Sequence, residues 1–280
     1  MRYDTRYLTS AAHLRVAVLL VLSLVTIARV SIGEEPSLDT AEAGTTTPSP
    51  PKLAEPKGAK RLSPHYDIWV DPKEKAVLID GQVSLREGML EMFACTRNTK
   101  EHESIVSANT KAYLAHAALL SLGAEPGSTA RWVPKYQPPS GTEIEVLVRW
   151  VDERGKEHSA RAQDWVKDIR TGKAMTHPFV FAGSSFWTDA ETGKRNYQAE
   201  GGDFICVSNF STAMLDIPVE SSQANTDLAF EAFTERIPPL GAPVRLVLRP
   251  KLKKQGAESR EQGAKNAQAE PATAEGKKAL

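Results

Sequence analysis

Lys100-Glu101-His102-Glu103 places an ammonium, two carboxylates and an imidazole in consecutive positions, and Cys95 lies a short way upstream. Thiolate, imidazole and carboxylate all ligate zinc or iron. Cys95, His102 and Glu103 are therefore the beginnings of a metal set, which His177, Asp203 or Cys206 would have to complete from a distance. His102-Glu103 also opens like the HExxH run of zinc proteases. The second histidine of that motif is missing, because Val106 occupies its place, so that chemistry is excluded. The same three side chains suit a cysteine nucleophile with an imidazole base and an orienting carboxylate, provided a hairpin brings them together. In an exported chain, such a thiol would also have to survive oxidation. The plain reading is a solvated, salt-bridged turn leading into a helix. The lack of a second ligand pair at metal spacing favours it.

Cys95 and Cys206 are the two cysteines of the chain. In an oxidising compartment they can join as a disulfide, and a loop this long gains from closure. Two small buried hydrophobes are the equal alternative, and geometry alone decides between them. His116 falls on an apolar helix face, where a core histidine bonded to a backbone carbonyl is expected. His65, His158 and His177 show no metal-ligand spacing. Gly183-Ser184-Ser185 is no nucleophile elbow, because Phe186-Trp187 replaces its closing glycine. Phe179, Phe181, Phe186, Trp187, Tyr197 and Phe204 crowd one segment. Such aromatics stack on flat ligands or anchor interfaces, but more often they are core. Asn209-Phe210-Ser211 fits a glycosylation sequon, a pattern common by chance.

The elements that must position these groups read as follows. Residues 67–71 and 76–79 are β-type runs around a Pro72-Lys73-Glu74-Lys75 turn, which makes a hairpin. Gly81 permits a bend or bulge. Residues 89–95 (MLEMFAC) form a strand with Leu90, Met92 and Ala94 on its apolar side and Cys95 on the other. Asn109 is the expected N-cap of a helix over 110–122, and Gly123 its C′ residue. The apolar stripe of that helix is read as Ala112, His116 and Leu119 with Tyr113, Ala117 and Leu120. Residues 142–151 (TEIEVLVRWV) alternate like a half-buried antiparallel strand, and 156–165 return from it. Strands follow over 179–187, 195–199, 204–208 and 244–248. Residues 211–215 suggest a short helix, and 226–235 suit helix or strand. The expected class is α+β, sheet-dominated and mostly antiparallel, with one principal helix packed on the sheet.

Basic and acidic residues balance at 35 each, so charge gives no basis for binding nucleic acid or anionic membrane. Residues 1–33 have the layout of a signal peptide: Arg2, Arg6 and Arg15, an apolar run over 16–28, and Ser31-Ile32-Gly33 as small cleavage-site residues. The run is shorter than the ~20 residues that span a bilayer, which favours cleavage over an uncleaved inner-membrane anchor. Residues 34–60, rich in Pro, Thr, Ala and Glu, and the Lys-, Ala- and Glu-rich 251–280 are too poor in large apolar groups to fold. One globular domain over 61–250 remains.

Several runs in that domain resemble the opening of the YdjY-like domain family. They are Gly81-Gln82-Val83, Leu85-Arg86-Glu87-Gly88, Leu90-Glu91-Met92-Phe93-Ala94-Cys95 and Lys100-Glu101-His102-Glu103-Ser104. Lys111-Ala112-Tyr113, His116-Ala117-Ala118-Leu119-Leu120, Gly123-Ala124-Glu125-Pro126-Gly127, Ala162-Gln163-Asp164-Trp165, Phe181-Ala182-Gly183-Ser184 and Glu200-Gly201-Gly202-Asp203 continue the likeness. The resemblance implies a bacterial, exported protein of the periplasm or envelope with no assigned reaction. It also implies that residues 100–104 and 201–203 form one surface. The candidate site is thus Cys95, Lys100, His102, Glu103 and Asp203. The leading expectation is a non-catalytic module for an envelope protein or small ligand, with no cofactor strongly implied. The alternatives are a metal- or thiol-dependent enzyme or redox accessory at Cys95, His102 and Glu103, and an envelope scaffold using the Lys-rich tail.

Overall fold

A computed structural model of the chain describes residues 53–221 and 229–252. The expected signal peptide, residues 34–52 of the expected linker and the tail beyond Leu252 lie outside the described residues, whereas residues 53–60 are described and Lys60 pairs with Val70. No helix among the described residues is long and apolar enough to cross a membrane.

Eight strands close into a barrel. In chain order they are β1 (Ala76–Val83), β2 (Met92–Thr96), β3 (Ser104–Ala108), β4 (Glu143–Val151), β5 (Phe179–Phe181), β6 (Ile205–Cys206), β7 (Leu215–Asp216) and β8 (Pro243–Pro250). Around the barrel the order is β1-β8-β4-β5-β7-β6-β2-β3, and β3 returns to β1 through Gly81↔Ala108, Gln82↔Ser107 and Val83↔Val106. The expected α+β arrangement is therefore wrong. The fold is mostly β, and the sheet closes on itself instead of carrying a helical layer. The misleading stretch is Ser104-Ile105-Val106-Ser107-Ala108, which reads as the approach to the helix but is the strand that shuts the barrel.

The antiparallel wall follows its sequence pattern. Leu246 of β8 faces Ile79 of β1 on one side and Val148 of β4 on the other, and all three are buried. Ile144, Val146 and Val148 alternate with partly exposed neighbours, as a strand with one wet face requires. The opposite wall differs. β7 with β6 and β2 with β3 are parallel pairs, and every residue of β2 and β3 is buried. Parallel neighbours need a crossover connection, normally of a dozen residues or more. Here residues 97–103 make the return through a 3-10 turn at Glu101–Glu103, and the crossover covers the strands it joins.

The helix α1 (Ala112–Ser121) buries Ala112, Ala115, Ala118 and Leu119 in the same core as the barrel interior. Tyr113, Ala117 and Leu120 are exposed, so the buried stripe is rotated from the one expected. It ends as anticipated at Gly123, whose φ of +86° suits a residue without Cβ. Asn109 does not cap it; its amide donates to Asp67 Oδ2 at 2.6 Å, tying strand ends together.

The expected hairpin is present, with Ile68–Asp71 pairing β1 from Ile68↔Ile79 to Asp71↔Ala76. Outside the barrel, Glu157–Arg161 pairs the end of β4, and Phe186–Thr188 pairs Arg195–Tyr197. Phe230–Ala232 joins a small sheet with Val166–Asp168 and Lys173–Ala174. The short helix expected over 211–215 is absent, since that stretch turns into β7.

Candidate functional site

The crossover builds the site. Glu101 is its anchor: burial pushes the carboxyl up, but the N–H groups of Asn98, Glu101 and Thr99 and the Ser107 hydroxyl together hold it below the ordinary glutamate value. Ser107 Oγ donates to Glu101 at 3.1 Å, and Asn98 sits at a left-handed φ of 64° to make the bend. Fixed in this way, the turn presents Lys100 and Glu103 to the segment before β6.

Lys100 Nζ lies 3.0 Å from Asp203 Oδ1 and 3.5 Å from Glu103 Oε1. It also stands 4.8 Å above the Phe210 ring, in cation–π range. Thr212 Oγ1 donates to Asp203 Oδ2. Gly202 makes the approach possible: at φ +115°, a Cβ there would meet Lys100 Cγ and Thr99 Oγ1 at 2.8 Å each. Glu91, at the mouth of β2, reaches the Glu103 carboxyl. Burial, then the charge and hydrogen bond of Glu103, push Glu91 above the usual carboxylate range. Burial would lower Lys100, but Asp203, Glu103 and Glu91 outweigh it and raise the ammonium. Three carboxylates thus surround one cation in a half-buried setting, an excess of negative charge relieved by a proton on Glu91 or by an incoming cation.

The other expected site residues do not join this group. Cys95 is fully buried under the crossover, beside Thr99, Ser104 and the Lys100 backbone, and burial raises its thiol. That is the opposite of an activated thiolate. The His102 side chain is 77% exposed, with Nε2 3.9 Å from Glu103. No His/Cys/Asp/Glu group among the described residues has metal-binding geometry. Cys95 and Cys206 are separate thiols. Cys206 stands opposite Met92, three places along β2 from Cys95, about 10 Å at strand rise and beyond disulfide reach.

Elsewhere, chemistry suggested by residue type is spent on structure. His116 Nδ1 lies 2.9 Å from Tyr197 Oη, which donates to the Gly183 carbonyl at 3.0 Å. Ser184, at φ +52°, donates to Thr212 O and accepts from the Ala199 N–H. The sequon residue Asn209 is 1% exposed and donates to Asp216 and Ile217 O. Asp216 accepts from the N–H groups of Phe210 and Ile217, yet burial lifts its carboxyl to about 8. Phe179, Phe181, Tyr197 and Phe204 are core, whereas Phe186 and Trp187 are exposed on their hairpin.

A cavity of about 540 Å³ opens outside β1, β8 and β4, under residues 53–57. Its two arginines are already paired: Arg149 is bidentate to Glu74, and Arg245 pairs with Asp80. The unbalanced charge at Lys100 makes the crossover surface the better site. Sequence reasoning named Lys100, Glu103 and Asp203 but missed Glu91, Phe210 and Thr212. Glu91 left one usable signal, a lone charge within an apolar strand.

No curated protein and no solved structure shows significant similarity to the chain. The family model described as the YdjY domain matches residues 68–249, from the first hairpin to the end of β8. The chain belongs to the YdjY domain family.

Proposed function

We propose that this chain is an exported, non-catalytic binding module of the bacterial envelope, and that its recognition site is the surface formed by Glu91, Lys100, Glu103 and Asp203. The observation that carries this reading is the convergence of Asp203 and Glu103 on Lys100 Nζ, at 3.0 and 3.5 Å, with Glu91 adding a third carboxyl. The ligand is a cationic group, such as a lysine or arginine side chain of an envelope protein or a small amine. An incoming cation offsets the excess negative charge of the three carboxyls around Lys100. The sealed Cys95 and outlying His102 argue against thiol or metal chemistry at this place.

Calorimetric titration with tetralysine and tetraglutamate tests the reading. Tetralysine is expected to bind, more weakly as salt rises, and tetraglutamate not to bind. Equal behaviour of the two peptides, or no binding of either at low salt, would sink it. Export is tested by fractionation: the chain should enter the envelope fraction and lose that address when residues 1–33 are deleted.

A further inference from the structure

The strand Glu157–Arg161 lies at an edge of the main sheet, with every other residue exposed. It pairs β4 along one side, from Leu147↔Arg161 to Val151↔Glu157. Along its other side it pairs no strand among the described residues. The turn that precedes it fixes which backbone groups face which way. Asp152 N–H donates to Lys156 O at 2.9 Å. Antiparallel ladders alternate hydrogen-bonded and non-bonded pairs, so His158 and Ala160 bond to β4. The N–H and C=O groups of Glu157, Ser159 and Arg161 then point to the free edge. The Arg161 N–H follows this rule, since it leaves the ladder to donate to Asp164 Oδ2 at 3.2 Å.

The side chains hold the strand in this orientation. His158 stacks on Trp150 at 5.2 Å, with Nε2 2.8 Å from Asp152, and Ala160 packs on the core. Glu157, Ser159 and Arg161 are exposed on the other face. An exposed edge is a template for another strand, and charge normally keeps strangers off it. These charges have a special arrangement. Turned about Ser159, the strand Glu-His-Ser-Ala-Arg meets its own copy with Glu157 opposite Arg161 at both ends and serine opposite serine at the centre. Opposite charges directly across a strand pair stabilise it. A shift of two residues leaves the charges unmatched.

We propose that the free edge of Glu157–Arg161 pairs antiparallel with the same edge of a second copy about Ser159, giving a two-fold dimer. The partner is this chain itself, because its own strand presents both charges in the complementary order around a two-fold axis. The Glu157 and Ser159 backbone groups supply the ladder, and Arg161 keeps its side-chain bond to Asp164 at 2.7 Å while turning its remaining N–H donors to the facing Glu157. A five-residue edge buries less than the roughly 1,000 Å² of a stable complex, so the dimer is weak and reversible.

Sedimentation equilibrium of the purified protein over a wide concentration range tests this. The wild type should show reversible monomer–dimer exchange. Glu157→Arg and Arg161→Glu should each weaken it by about tenfold, and the double swap should restore it. The double swap separates lost pairing from damage at the Arg161–Asp164 contact. In parallel, the Glu157 and Ser159 amides should gain exchange protection as concentration rises. A monomer throughout, single variants that associate like wild type, or a double variant that fails to recover would overturn the proposal.

Discussion

The two walls of the barrel handle charge in opposite ways. On the antiparallel wall, acids and bases alternate across the outer face. Arg149 and Arg249 share Glu74, Arg249 also meets Glu145, Arg245 holds Asp80, and Lys251 holds Glu143. Each cation there has its acid. On the wall that contains the parallel pairs, one ammonium faces Glu91, Glu103 and Asp203, and Asp216 lies buried behind them. Balanced ladders on exposed sheet stabilise modestly and ask for no ligand. An unbalanced, half-buried cluster does ask for one. The contrast follows from connectivity: a hairpin leaves its outer face wet, whereas a parallel crossover lays a loop over the strands and buries charge under it.

The largest effect expected on this comparison comes from the seam between the walls. A Cβ at Gly81 would lie 2.4 Å from Ser107 O, where β1 meets β3. Gly81→Val should cost about 3 kcal/mol or more in urea unfolding, by overpacking and loss of closure. A nearly neutral result would mean that the seam does not hold the barrel. Breaking the Lys100–Asp203 contact comes next. Asp203→Asn leaves Lys100 part-buried among fewer acids and should cost about 2 kcal/mol. Arg249→Met on the opposite wall should cost under about 1 kcal/mol. Similar losses on both walls would erase the distinction.

Asp216 sharpens the comparison through pH. Its folded carboxyl sits at about 8, against an ordinary 3.8. The folded chain therefore keeps a proton that the unfolded chain has released between those values. This group's contribution to stability must fall as pH rises from about 4 through about 8, then level off. Asp216→Asn should remove that fall, read as the difference between the two unfolding curves against pH. Parallel curves would show that Asp216 titrates normally. The smallest effect concerns the thiols. Both are buried with raised thiol values, so a thiol reagent should label neither Cys95 nor Cys206 in the native chain and both after denaturation. Prompt native labelling of Cys95 would show that the crossover does not seal it.

Legibility in the sequence followed the same division. The first hairpin, β4 with its strict alternation, and the Gly123 stop are local patterns, and the structure contains them. The crossover wall is not local. β6 and β7 are two residues long, too short for any period to show. β3 is buried on both faces and has no alternation to betray it. Without β3 there is no closure, so an open sheet with a helical layer was the natural expectation. At the site, Lys100, Glu103 and Asp203 were reached through the run 100–104 and the family resemblance. Phe210 and Thr212 were not, because nothing local links residue 100 to residues more than a hundred places away. Cys95 and His102 looked reactive by type. Burial of one and exposure of the other, features no residue type encodes, separate them.

The most direct test of the account neutralises one glutamate on each wall and compares their effect on cation binding. Glu103→Gln and Glu145→Gln remove the same charge from the same chain, one beside Lys100 and one beside Arg249. With tetralysine as the titrant, the account predicts that Glu103→Gln weakens binding severalfold, as loss of one carboxylate from a small cluster should, while Glu145→Gln binds like wild type. Equal weakening by both substitutions, or weakening by Glu145→Gln alone, would contradict a recognition site on the crossover surface.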